Sequence, residues 1–473
     1  MTSAKFLVGG EWRGSTIKRQ VFNPYQGAPV HEVCQASSKD IDDAITAAEE
    51  AFHETRRLTS HERSSVLAQC ARKVEERKED FAQMITRETG KPISFSRAEV
   101  ARAVFTLTTS AEEAKRIEGS MIPLDVAPDN AGRTALVRRF PLGVIGAITP
   151  FNFPLNLVVH KLGPAVASGN TVVLKPSSSA PVTALLLGEI LDSTSFPKGG
   201  VNIVPCLGSE AEQLITDKRV KLLSFTGSPV VGWGMKARAT RKRVVLELGG
   251  NAGVIVAGDA NLDHALRRIV QGAFGNAGQS CISVQRIYVH ESVADSFTEK
   301  LVKMTKSLAV GDPMNDRTIV GPMIDEQAAR RAETWVREAV EAGAELLCGG
   351  GRNGAVLEPT ILSGVDPAQK VSCQEVFAPV VTLDRYTDFQ EAVERINASA
   401  FGLQAGIFTS NAADIFYAYR ELEVGGVIVN DSSSYRMDNM PYGGVKESGL
   451  GREGVRSAIE EMMELKLLAL NFG

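Results

Sequence analysis

Val144-Ile145-Gly146-Ala147-Ile148-Thr149-Pro150 is a short apolar run that ends in two turn residues, which is typical of a buried parallel strand. A helical stretch follows from about Leu155 to Ser168, and Gly169-Asn170 ends it. The chain then repeats the pattern, with a strand at Thr171–Leu174 and a helix at Pro181–Leu191. This alternation predicts a doubly wound α/β sheet, which binds ligands beyond the carboxyl ends of its strands.

The same pattern continues on both sides of this stretch. Further strands are predicted at Val201–Val204 and Lys221–Phe225, and Gly227-Ser228 is predicted to open a helix. A second α/β unit begins near Glu247, with strand-like runs at Gly253–Val256, Val284–Val289, Val380–Leu383 and Gly426–Val429. The first hundred residues are expected to be mainly helical, with helices at Asp40–Phe52, Ser60–Thr89 and Phe95–Glu118.

Two segments fit neither unit. Ile122–Arg139 interrupts the first unit with turn residues and then a strand-like Ala135-Leu136-Val137. The C-terminal Glu464–Leu470 is also strand-like. Strands that leave their own domain need partners, so these two are expected to pair with each other or with another subunit.

Composition indicates an ordinary globular protein. The chain has 473 residues, of which 44% are hydrophobic and 23% charged, enough for two or three domains. A formal net charge of -4 gives no basis for nucleic-acid binding. No apolar run approaches the roughly 18 residues of a membrane helix, and the segment from Met1 lacks the apolar region of a secretory signal. We therefore expect a cytoplasmic protein without nucleic-acid or membrane partners.

The six cysteines raise the question of chemistry. None falls in a C-x-x-C pair and the chain has only six histidines, so no metal site is predicted. Six reduced thiols are the ordinary interpretation for a long cytosolic chain. Cys281 differs because Phe274–Ser283 is small and polar, with glycines nearby that let backbone approach a substrate. A nucleophilic thiol and a core cysteine in a tight turn both fit this segment.

Two polar residues follow predicted strands. Glu247 ends the apolar run Val244-Val245-Leu246 and precedes two glycines, where a carboxylate can act as a general base. Asn152 lies between Pro150 and Pro154, where its amide can donate to a developing oxyanion. The alternatives are a surface glutamate at a strand exit and an asparagine that turns the chain between two prolines.

Three motifs suit a dinucleotide. Lys175 ends a strand and can bind ribose or phosphate oxygens. Phe225-Thr226-Gly227-Ser228-Pro229-Val230-Val231-Gly232 offers a helix N-terminus to a pyrophosphate, although the GxGxxG fingerprint is missing. Glu375 can bind ribose hydroxyls, with the aromatic Phe377 beside it.

In this order, the motifs make the sequence resemble the aldehyde dehydrogenase superfamily. The likeness runs from Phe6-Leu7-Val8-Gly9-Gly10-Glu11-Trp12 to Pro441-Tyr442-Gly443-Gly444-Val445-Lys446-Glu447-Ser448-Gly449. The resemblance implies NAD(P)-dependent oxidation of an aldehyde to the free acid through a cysteine thioester. It implies that Cys281 is the nucleophile, Glu247 the general base, and Asn152 the oxyanion donor together with the backbone N–H of Cys281.

The resemblance also implies an architecture of two doubly wound, Rossmann-like α/β domains and a small β element for bridging and oligomerisation. The dinucleotide-binding domain would span residues 1–120 and 140–246, the catalytic domain 247–445, and the bridging element 121–139 and 446–473. A homodimer or homotetramer is expected. The family pattern places cofactor contacts at Thr149, Pro150, Phe151, Lys175, Ser178, Gly208, Thr226, Gly227, Ser228, Val231, Leu248, Gly249, Glu375 and Phe377.

Two positions refine the expected reaction. Many NAD-preferring members carry Glu at the position of Ser178, and that Glu repels the 2′-phosphate of NADP. The neutral Ser178 is therefore expected to tolerate NADP as well as NAD. Glu247 favours hydrolysis, because CoA-acylating relatives generally lack it.

The substrate is predicted from the branch of the family. Asn430–Asp438 is similar to the branch containing lactaldehyde and non-phosphorylating glyceraldehyde-3-phosphate dehydrogenases. Arg102, His160 and Arg436 stand where that branch and phosphonate-aldehyde relatives place polar or cationic groups. Ser280 replaces an Arg that anion-specific members often carry, which favours small hydroxy- or carboxy-aldehydes of the lactaldehyde or glyceraldehyde type.

Several alternatives stay open from the sequence. The enzyme could act on succinic semialdehyde, or on a phosphorylated or phosphonate aldehyde. Arg102 could be a solvated helix residue, and His160 a structural histidine with satisfied hydrogen bonds. A non-enzymatic protein on this fold is expected to lack Cys281, Glu247 or Asn152, and all three are present.

Overall fold

The computed structural model describes residues 3–472. Met1, Thr2 and Gly473, which belong to the predicted first and last segments, lie outside the described residues. The strands, in chain order, are β1 Phe6–Val8, β2 Glu11–Arg13, β3 Lys18–Phe22, β4 Pro29–Cys34, β5 Ser120–Pro123, β6 Arg133–Pro141, β7 Val144–Ile148, β8 Thr171–Lys175, β9 Val201–Ile203, β10 Val220–Thr226, β11 Arg243–Glu247, β12 Ala252–Val256, β13 Val284–His290, β14 Glu345–Cys348, β15 Arg352–Asn353, β16 Val356–Leu357, β17 Thr360–Ser363, β18 Val380–Tyr386, β19 Phe401–Gly402, β20 Gln404–Phe408, β21 Gly426–Val429, β22 Val445–Lys446, β23 Gly449–Leu450 and β24 Met463–Asn471.

Helices cover both large sheets. They are α1 Ser38–Thr55, α2 Ser60–Glu76, α3 Lys78–Thr89, α4 Ile93–Glu113, α5 Asn156–Ser168, α6 Val182–Asp192, α7 Glu212–Thr216, α8 Pro229–Arg238, α9 Leu262–Phe274, α10 Glu291–Lys306, α11 Glu326–Glu341, α12 Lys370–Cys373, α13 Phe389–Asn397, α14 Ala412–Glu421 and α15 Val455–Glu461. A 3-10 turn at Gly275–Gly278 follows α9.

The first sheet has eight strands in the order β2-β1-β9-β8-β7-β10-β11-β23. Its centre, β9 to β11, is parallel, whereas β1, β2 and β23 pair antiparallel at the edges. Every residue of β7 and β8 is buried, as expected for parallel strands covered by helices on both faces.

The second sheet has seven strands in the order β14-β17-β18-β13-β12-β20-β21. All its pairings are parallel except that of β14 with β17. A separate three-stranded sheet, β24-β6-β5, pairs Met463–Asn471 with Arg133–Pro141 over nine residues. The predicted class, two α/β sheets plus a small β element, is therefore confirmed.

The prediction that the first hundred residues are mainly helical is wrong for the N-terminal third. Residues 6–34 form β1 to β4, because the buried run Phe6–Val8 adds an antiparallel edge to the first sheet. The predicted helix Ser60–Thr89 is two helices, divided at Arg77, whose φ of -105° and ψ of 23° break the helical geometry.

The predicted C-terminal bridging segment is divided between two places. Gly449-Leu450 pairs with β11 in the first sheet, and Val455 and Ile459 of α15 are buried in the core of that sheet. The strand β24 pairs with β6, the first of the two pairings expected for it. The buried face of α15 explains the division, since it packs on α5 and α4, the helices beside the first sheet.

Two absences apply to residues 3–472. No helix there is long and apolar enough to cross a membrane. No group of three or more His, Cys, Asp or Glu side chains there could hold a metal ion.

Candidate active site

The predicted catalytic residues come from neighbouring strand ends. Glu247 is the last residue of β11 and pairs with Thr226, the last residue of β10. Asn152 follows β7, which pairs with the other side of β10. Because these strands are parallel, their carboxyl ends share one edge of the first sheet. Cys281 comes from the second unit, between the 3-10 turn and β13.

A strained turn presents Cys281. Asn276 and Ala277 have φ values of 54° each, a left-handed backbone that costs non-glycine residues about 1–3 kcal/mol. The backbone of Gly250 packs against the carbonyl of Cys281, and a Cβ at Gly250 would overlap that oxygen. The close approach of these two backbone segments therefore requires glycine at position 250, and the predicted approach of backbone to a substrate stays a prediction.

A cavity of about 290 Å³ joins the strand ends and this turn. Most predicted site residues line it: Arg102, Pro150, Phe151, Asn152, Thr226, Gly227, Ser228, Glu247, Leu248, Gly249, Ser280, Cys281, Glu375, Phe377 and Arg436. The sequence did not single out the other lining residues: Phe153, Asn156, Leu157, Ile282, Arg331, Ser434, Tyr442 and Glu453.

The sulfur of Cys281 has a close polar neighbour. Its Sγ and the hydroxyl of Tyr442 share a hydrogen bond of 2.9 Å, in which either atom can donate. Burial raises the pKa of the Cys281 thiol to about 12, although Tyr442 and the cation of Arg436 oppose that rise. Attack by this sulfur therefore requires a base that removes its proton.

Glu247 is a buried carboxyl of the first sheet. Its relative exposure is 2%, and neither oxygen has a hydrogen-bond partner among residues 3–472. Burial and the negative charge of Glu453 raise its pKa well above the ordinary value. At Gly443, whose φ is 155°, a Cβ would come within 2.8 Å of the backbone oxygen of Gly451 and 2.9 Å of the Glu247 Oε1, which favours glycine beside this carboxyl. The alternative of a surface glutamate is wrong, and the carboxyl is a strong base once ionised.

Asn152 is held with one amide hydrogen engaged. Its Nδ2 donates to the carbonyl oxygen of Gln279 at 3.1 Å, two residues before Cys281. The second hydrogen on Nδ2 is free to donate elsewhere, and the side chain lines the cavity. This arrangement suits an oxyanion donor, because the amide is fixed before any charge develops.

Glu453 is the second carboxylate of the cavity. It accepts hydrogen bonds from Lys161 at 2.9 Å and from Arg436 at 3.2 Å. Burial opposes ionisation, but the two cations outweigh it and lower the pKa of Glu453 to about 2. Lys161 also donates to Ser224 of β10 at 2.9 Å, which fixes the pair against the first sheet.

Asp438 organises the basic residues at the other side of the cavity. It accepts from Arg102 through two nitrogens, at 2.6 and 3.1 Å, from Asn156 at 3.1 Å, and bonds to His160 at 2.9 Å. Burial opposes its ionisation, but the hydrogen bonds from His160 and Arg102 outweigh it and lower its pKa. Arg102 is thereby fixed with part of its guanidinium open to the cavity.

His160 does not reach the cavity. Its side chain is fully buried, bonded to Asp438 and at 3.3 Å from a nitrogen of Arg436. The ring of His160 is not among the groups that line the cavity, so its contact with a substrate stays a prediction. Its Nε2 is bound to Asp438, but its buried Nδ1 has no hydrogen-bond partner among residues 3–472, so the alternative of a histidine with satisfied hydrogen bonds is met at one nitrogen only.

Several features of the cavity fit a dinucleotide. Glu375 accepts from the backbone N–H of Gly250 at 2.9 Å, and burial raises its pKa to about 7. The rings of Phe151 and Phe377 meet edge to face, with centroids 6.0 Å apart. The buried hydroxyl of Thr226 has no hydrogen-bond partner within residues 3–472, which leaves it available to a ligand.

The start of α8 adds to this fit. Ser228 occupies the N-cap position, but its side chain makes no hydrogen bond to the helix, and Pro229 is the first helical residue. The backbone N–H groups of the first turn therefore have no side-chain cap and can bind an anion. Close packing explains the glycines, since a Cβ at Gly227 would overlap the ring of Phe225 and one at Gly232 would overlap Leu248.

Five predicted cofactor residues do not line this cavity. Thr149 donates its N–H to the carbonyl of Lys175 at 3.2 Å, and Ser178, Gly208 and Val231 are partly or fully exposed. The Nζ of Lys175 has one protein acceptor, the carbonyl of Pro176 at 3.2 Å. Four of these residues lie on loops and strand ends of the first sheet and Val231 lies in the first turn of α8, and none lines the pocket that holds Cys281.

No role was predicted from the sequence for Tyr442, Glu453 or Asp438. Tyr442 belongs to the motif Pro441-Tyr442-Gly443-Gly444, which carries the resemblance to the family but by itself indicates no role for the tyrosine. In the sequence, Tyr442 lies 161 residues from its partner Cys281, and Glu453 lies 292 residues from its partner Lys161. Such contacts leave no local pattern in a single sequence.

Comparison with known proteins identifies the class. A model of the aldehyde dehydrogenase family matches residues 12–468, and the chain belongs to that family. The chain is 47% identical over 465 residues to a 3-sulfolactaldehyde dehydrogenase of Priestia aryabhattai, covering 98% of this chain and 97% of that protein. The family predicted from the motifs is confirmed, and the chain is an NAD(P)-dependent aldehyde dehydrogenase.

Two solved structures agree with this assignment. Aldehyde dehydrogenase 21 of Physcomitrella patens, in complex with the reaction product succinate, superposes with a TM-score of 0.98 and 44% identity, covering 100% of this chain and 99% of that chain. Glyceraldehyde-3-phosphate dehydrogenase GapN of Methanocaldococcus jannaschii, complexed with NADP, has a TM-score of 0.93 and 38% identity, covering 97% of this chain and 100% of that chain. The fold predicted from strand and helix alternation is thus the fold of this family.

Proposed function

We propose that this enzyme oxidises a small aldehyde that carries a hydroxyl or anionic group to the free acid, with Cys281 as the nucleophile. The observation that carries this proposal is the meeting of Cys281, Glu247 and Asn152 in one cavity of about 290 Å³. A thiol, a carboxyl without hydrogen-bond partners and an anchored amide are the groups that acyl transfer to water requires.

The first steps belong to Cys281 and Asn152. The thiol of Cys281 loses its proton to solvent, and the sulfur adds to the carbonyl carbon of the aldehyde. The carbonyl oxygen becomes an oxyanion, which the Nδ2 of Asn152 and the backbone N–H of Cys281 hold. One such donor contributes roughly 3–4 kcal/mol elsewhere.

The nicotinamide of NAD or NADP supplies the acceptor for the hydride that leaves the former aldehyde carbon. Glu375, Phe377 and Phe151 are the residues proposed to hold its ribose and ring, and Thr226, Gly227 and Ser228 its pyrophosphate. Glu247 then takes a proton from water, and the water oxygen attacks the thioester carbon. The acid departs and Cys281 regains its thiol. This role of Glu247 favours hydrolysis over transfer to CoA.

Use of NADP is proposed from Ser178. Its side chain is neutral and half-buried on the loop after β8, close in sequence to Lys175. A carboxylate at this position would repel a 2′-phosphate, and serine does not. The related GapN structure, complexed with NADP, is consistent with this proposal.

The substrate class is proposed from the arginines. Arg102 is fixed by Asp438 and Arg436 by Glu453, and both line the cavity. Ser280 offers a neutral hydroxyl beside the nucleophile. A short carboxy- or hydroxy-aldehyde suits these groups. Succinic semialdehyde is the second candidate, because Arg102 keeps part of its guanidinium open to a carboxylate and a related structure holds succinate.

A homo-oligomer, dimer or tetramer, is proposed from the three-stranded sheet. Leu465, Leu467 and Leu468 of β24 are 54–56% exposed, and Met121 of β5 is 72% exposed. These side chains lie on both faces of the sheet, and their burial against a second copy would remove apolar surface from water. The cytoplasmic location remains a prediction.

A substrate screen tests this proposed function. The native enzyme and Cys281→Ala are incubated with lactaldehyde, glyceraldehyde, succinic semialdehyde and an uncharged aldehyde of similar length, each with NAD and NADP. The native enzyme is expected to form reduced cofactor and the free acid, and Cys281→Ala neither. Undiminished turnover by Cys281→Ala would overturn the proposal.

A further inference from the structure

The hydroxyl of Tyr442 is the polar group that touches the sulfur of Cys281. The two atoms are 2.9 Å apart, and Tyr442 is 3% exposed. Its ring packs with Ile282 and Leu403 in a small apolar cluster against the cysteine. The mechanism described above makes no use of this hydroxyl.

Tyr442 is held from both sides. Its backbone exchanges two hydrogen bonds with Glu453, at 2.9 and 2.6 Å. The guanidinium of Arg436 lies 3.6 Å from the centre of its ring, within the range of a cation–π contact. The hydroxyl therefore has a fixed position relative to Cys281, and its approach to the sulfur is built into the site.

The charges that face the sulfur are mixed. Burial disfavours the thiolate, Tyr442 and Arg436 favour it, and Glu375 and Glu247 oppose it. In the resting thiol either partner of the 2.9 Å hydrogen bond can donate. After the proton leaves the sulfur, only the hydroxyl can donate, and a hydrogen bond to a charged acceptor is stronger than one between neutral groups.

We propose that Tyr442 is a catalytic residue, whose hydroxyl donates to the Cys281 thiolate and holds the charged sulfur ready to attack the aldehyde. The inference rests on the proposed function of Cys281 as the nucleophile. Burial also raises the pKa of Tyr442 well above its ordinary value, so its hydroxyl carries a proton at neutral pH.

The test measures the thiolate in Tyr442→Phe, which removes the hydroxyl and keeps the ring beneath Arg436. Thiolate is followed by ultraviolet absorbance against pH without aldehyde or cofactor, and the same variant with Cys281→Ala is subtracted. Alkylation of Cys281 by iodoacetamide is followed in parallel by peptide mass spectrometry. Exposed Cys373 is the internal reference thiol. Tyr288→Phe, which loses a buried hydroxyl bonded to Arg286 outside the cavity, is the matched control.

In Tyr442→Phe, we expect the thiolate curve to move to higher pH and alkylation at neutral pH to slow by about tenfold, as for loss of a hydrogen bond to a charged group. The Tyr288→Phe control is expected to match the native enzyme. A thiolate curve that superposes on the native curve would overturn the proposal, whether or not alkylation slows. Tyr442→Met takes the place of the phenylalanine variant if that variant does not fold.

The readout also separates this proposal from the proposed function. Thiolate and alkylation are measured without turnover, so their outcome does not depend on the aldehyde. Undiminished aldehyde oxidation by Cys281→Ala would rule out Cys281 as the nucleophile. If Cys281→Ala loses activity as expected and the thiolate curve of Tyr442→Phe is not shifted, only the proposed role of Tyr442 is ruled out.

Discussion

Glu247 and Glu453 are two buried carboxyls that line one cavity, and their pKa values are shifted in opposite directions. The pKa of Glu247 is raised and that of Glu453 is lowered. Glu453 has Lys161 and Arg436 as partners at 2.9 and 3.2 Å, whereas neither oxygen of Glu247 has a hydrogen-bond partner within residues 3–472. The paired carboxyl carries its charge at neutral pH, whereas burial, with the charge of Glu453 as the second cause, raises the pKa of the unpaired one well above the ordinary value. The site therefore holds one carboxylate that stays ionised, Glu453, and one carboxyl that can gain and lose a proton, Glu247.

The first prediction concerns this pair. Glu453→Gln removes the negative charge that raises the pKa of Glu247, so Glu247 will ionise at lower pH. Its base form is the active one, so the acid limb of the kcat profile is expected to move to lower pH. Glu460→Gln, an exposed residue of α15, the helix that begins two residues after Glu453, is the control and should leave the profile in place. An acid limb that stays in place, or moves to higher pH, in Glu453→Gln would contradict the coupling.

The second prediction concerns the oxyanion. Asn152→Ala removes the amide anchored by Gln279, and kcat is expected to fall by about 100- to 1000-fold, as for one oxyanion donor elsewhere. Steady-state kinetics with a saturating aldehyde measures the loss. Asn397→Ala, whose amide donates to the Glu421 carbonyl at the surface, should keep native activity. A kcat for Asn152→Ala within a few-fold of native would argue against this role.

The third prediction concerns the choice of cofactor. Ser178→Glu introduces a carboxylate where a 2′-phosphate is proposed to lie, so kcat/KM with NADP is expected to fall by about tenfold or more. The same ratio with NAD should stay near native. Ser178→Ala removes the hydroxyl without adding charge and should keep the use of NADP. Equal effects of Ser178→Glu on both cofactors would remove Ser178 from the account of specificity.

The fourth prediction concerns substrate charge. Arg102→Ala removes a cation that Asp438 holds toward the cavity, so KM for a carboxylated aldehyde is expected to rise by about tenfold. An uncharged aldehyde of the same length should show little change. Arg97→Ala is the matched control on α4, since its exposed side chain pairs with Glu79 and Asp316. A parallel rise in KM for both aldehydes would point to a packing effect instead.

The sequence was most informative where local patterns decide the structure. The buried run Val144–Ile148 and the helix after it predicted the first sheet, and strand ends located Glu247 and Asn152 correctly. Local patterns failed for Phe6–Val8, because three apolar residues have no period and only pairing with β9 makes them a strand. The same limit hid the bond between Tyr442 and Cys281, which depends on residues 161 positions apart.

Arg436 and His160 illustrate a second limit. The sequence marked both as candidate substrate contacts, yet one lines the cavity and the other is buried behind it. The difference depends on Asp438, which forms a hydrogen bond with the Nε2 of the His160 ring. A residue type and its position in a motif indicate chemistry, but only the packed partners decide whether a side chain is free to use it.

The central claim is that an acyl group forms on Cys281 and is released by water that Glu247 activates. The most direct measurement is peptide mass spectrometry of Glu247→Gln after a brief reaction with an aldehyde and NADP. The account predicts that the acyl group of that aldehyde accumulates on Cys281, and that one equivalent of reduced cofactor appears. Reduced cofactor without an acyl group on Cys281, or with the acyl group on another residue, would contradict it.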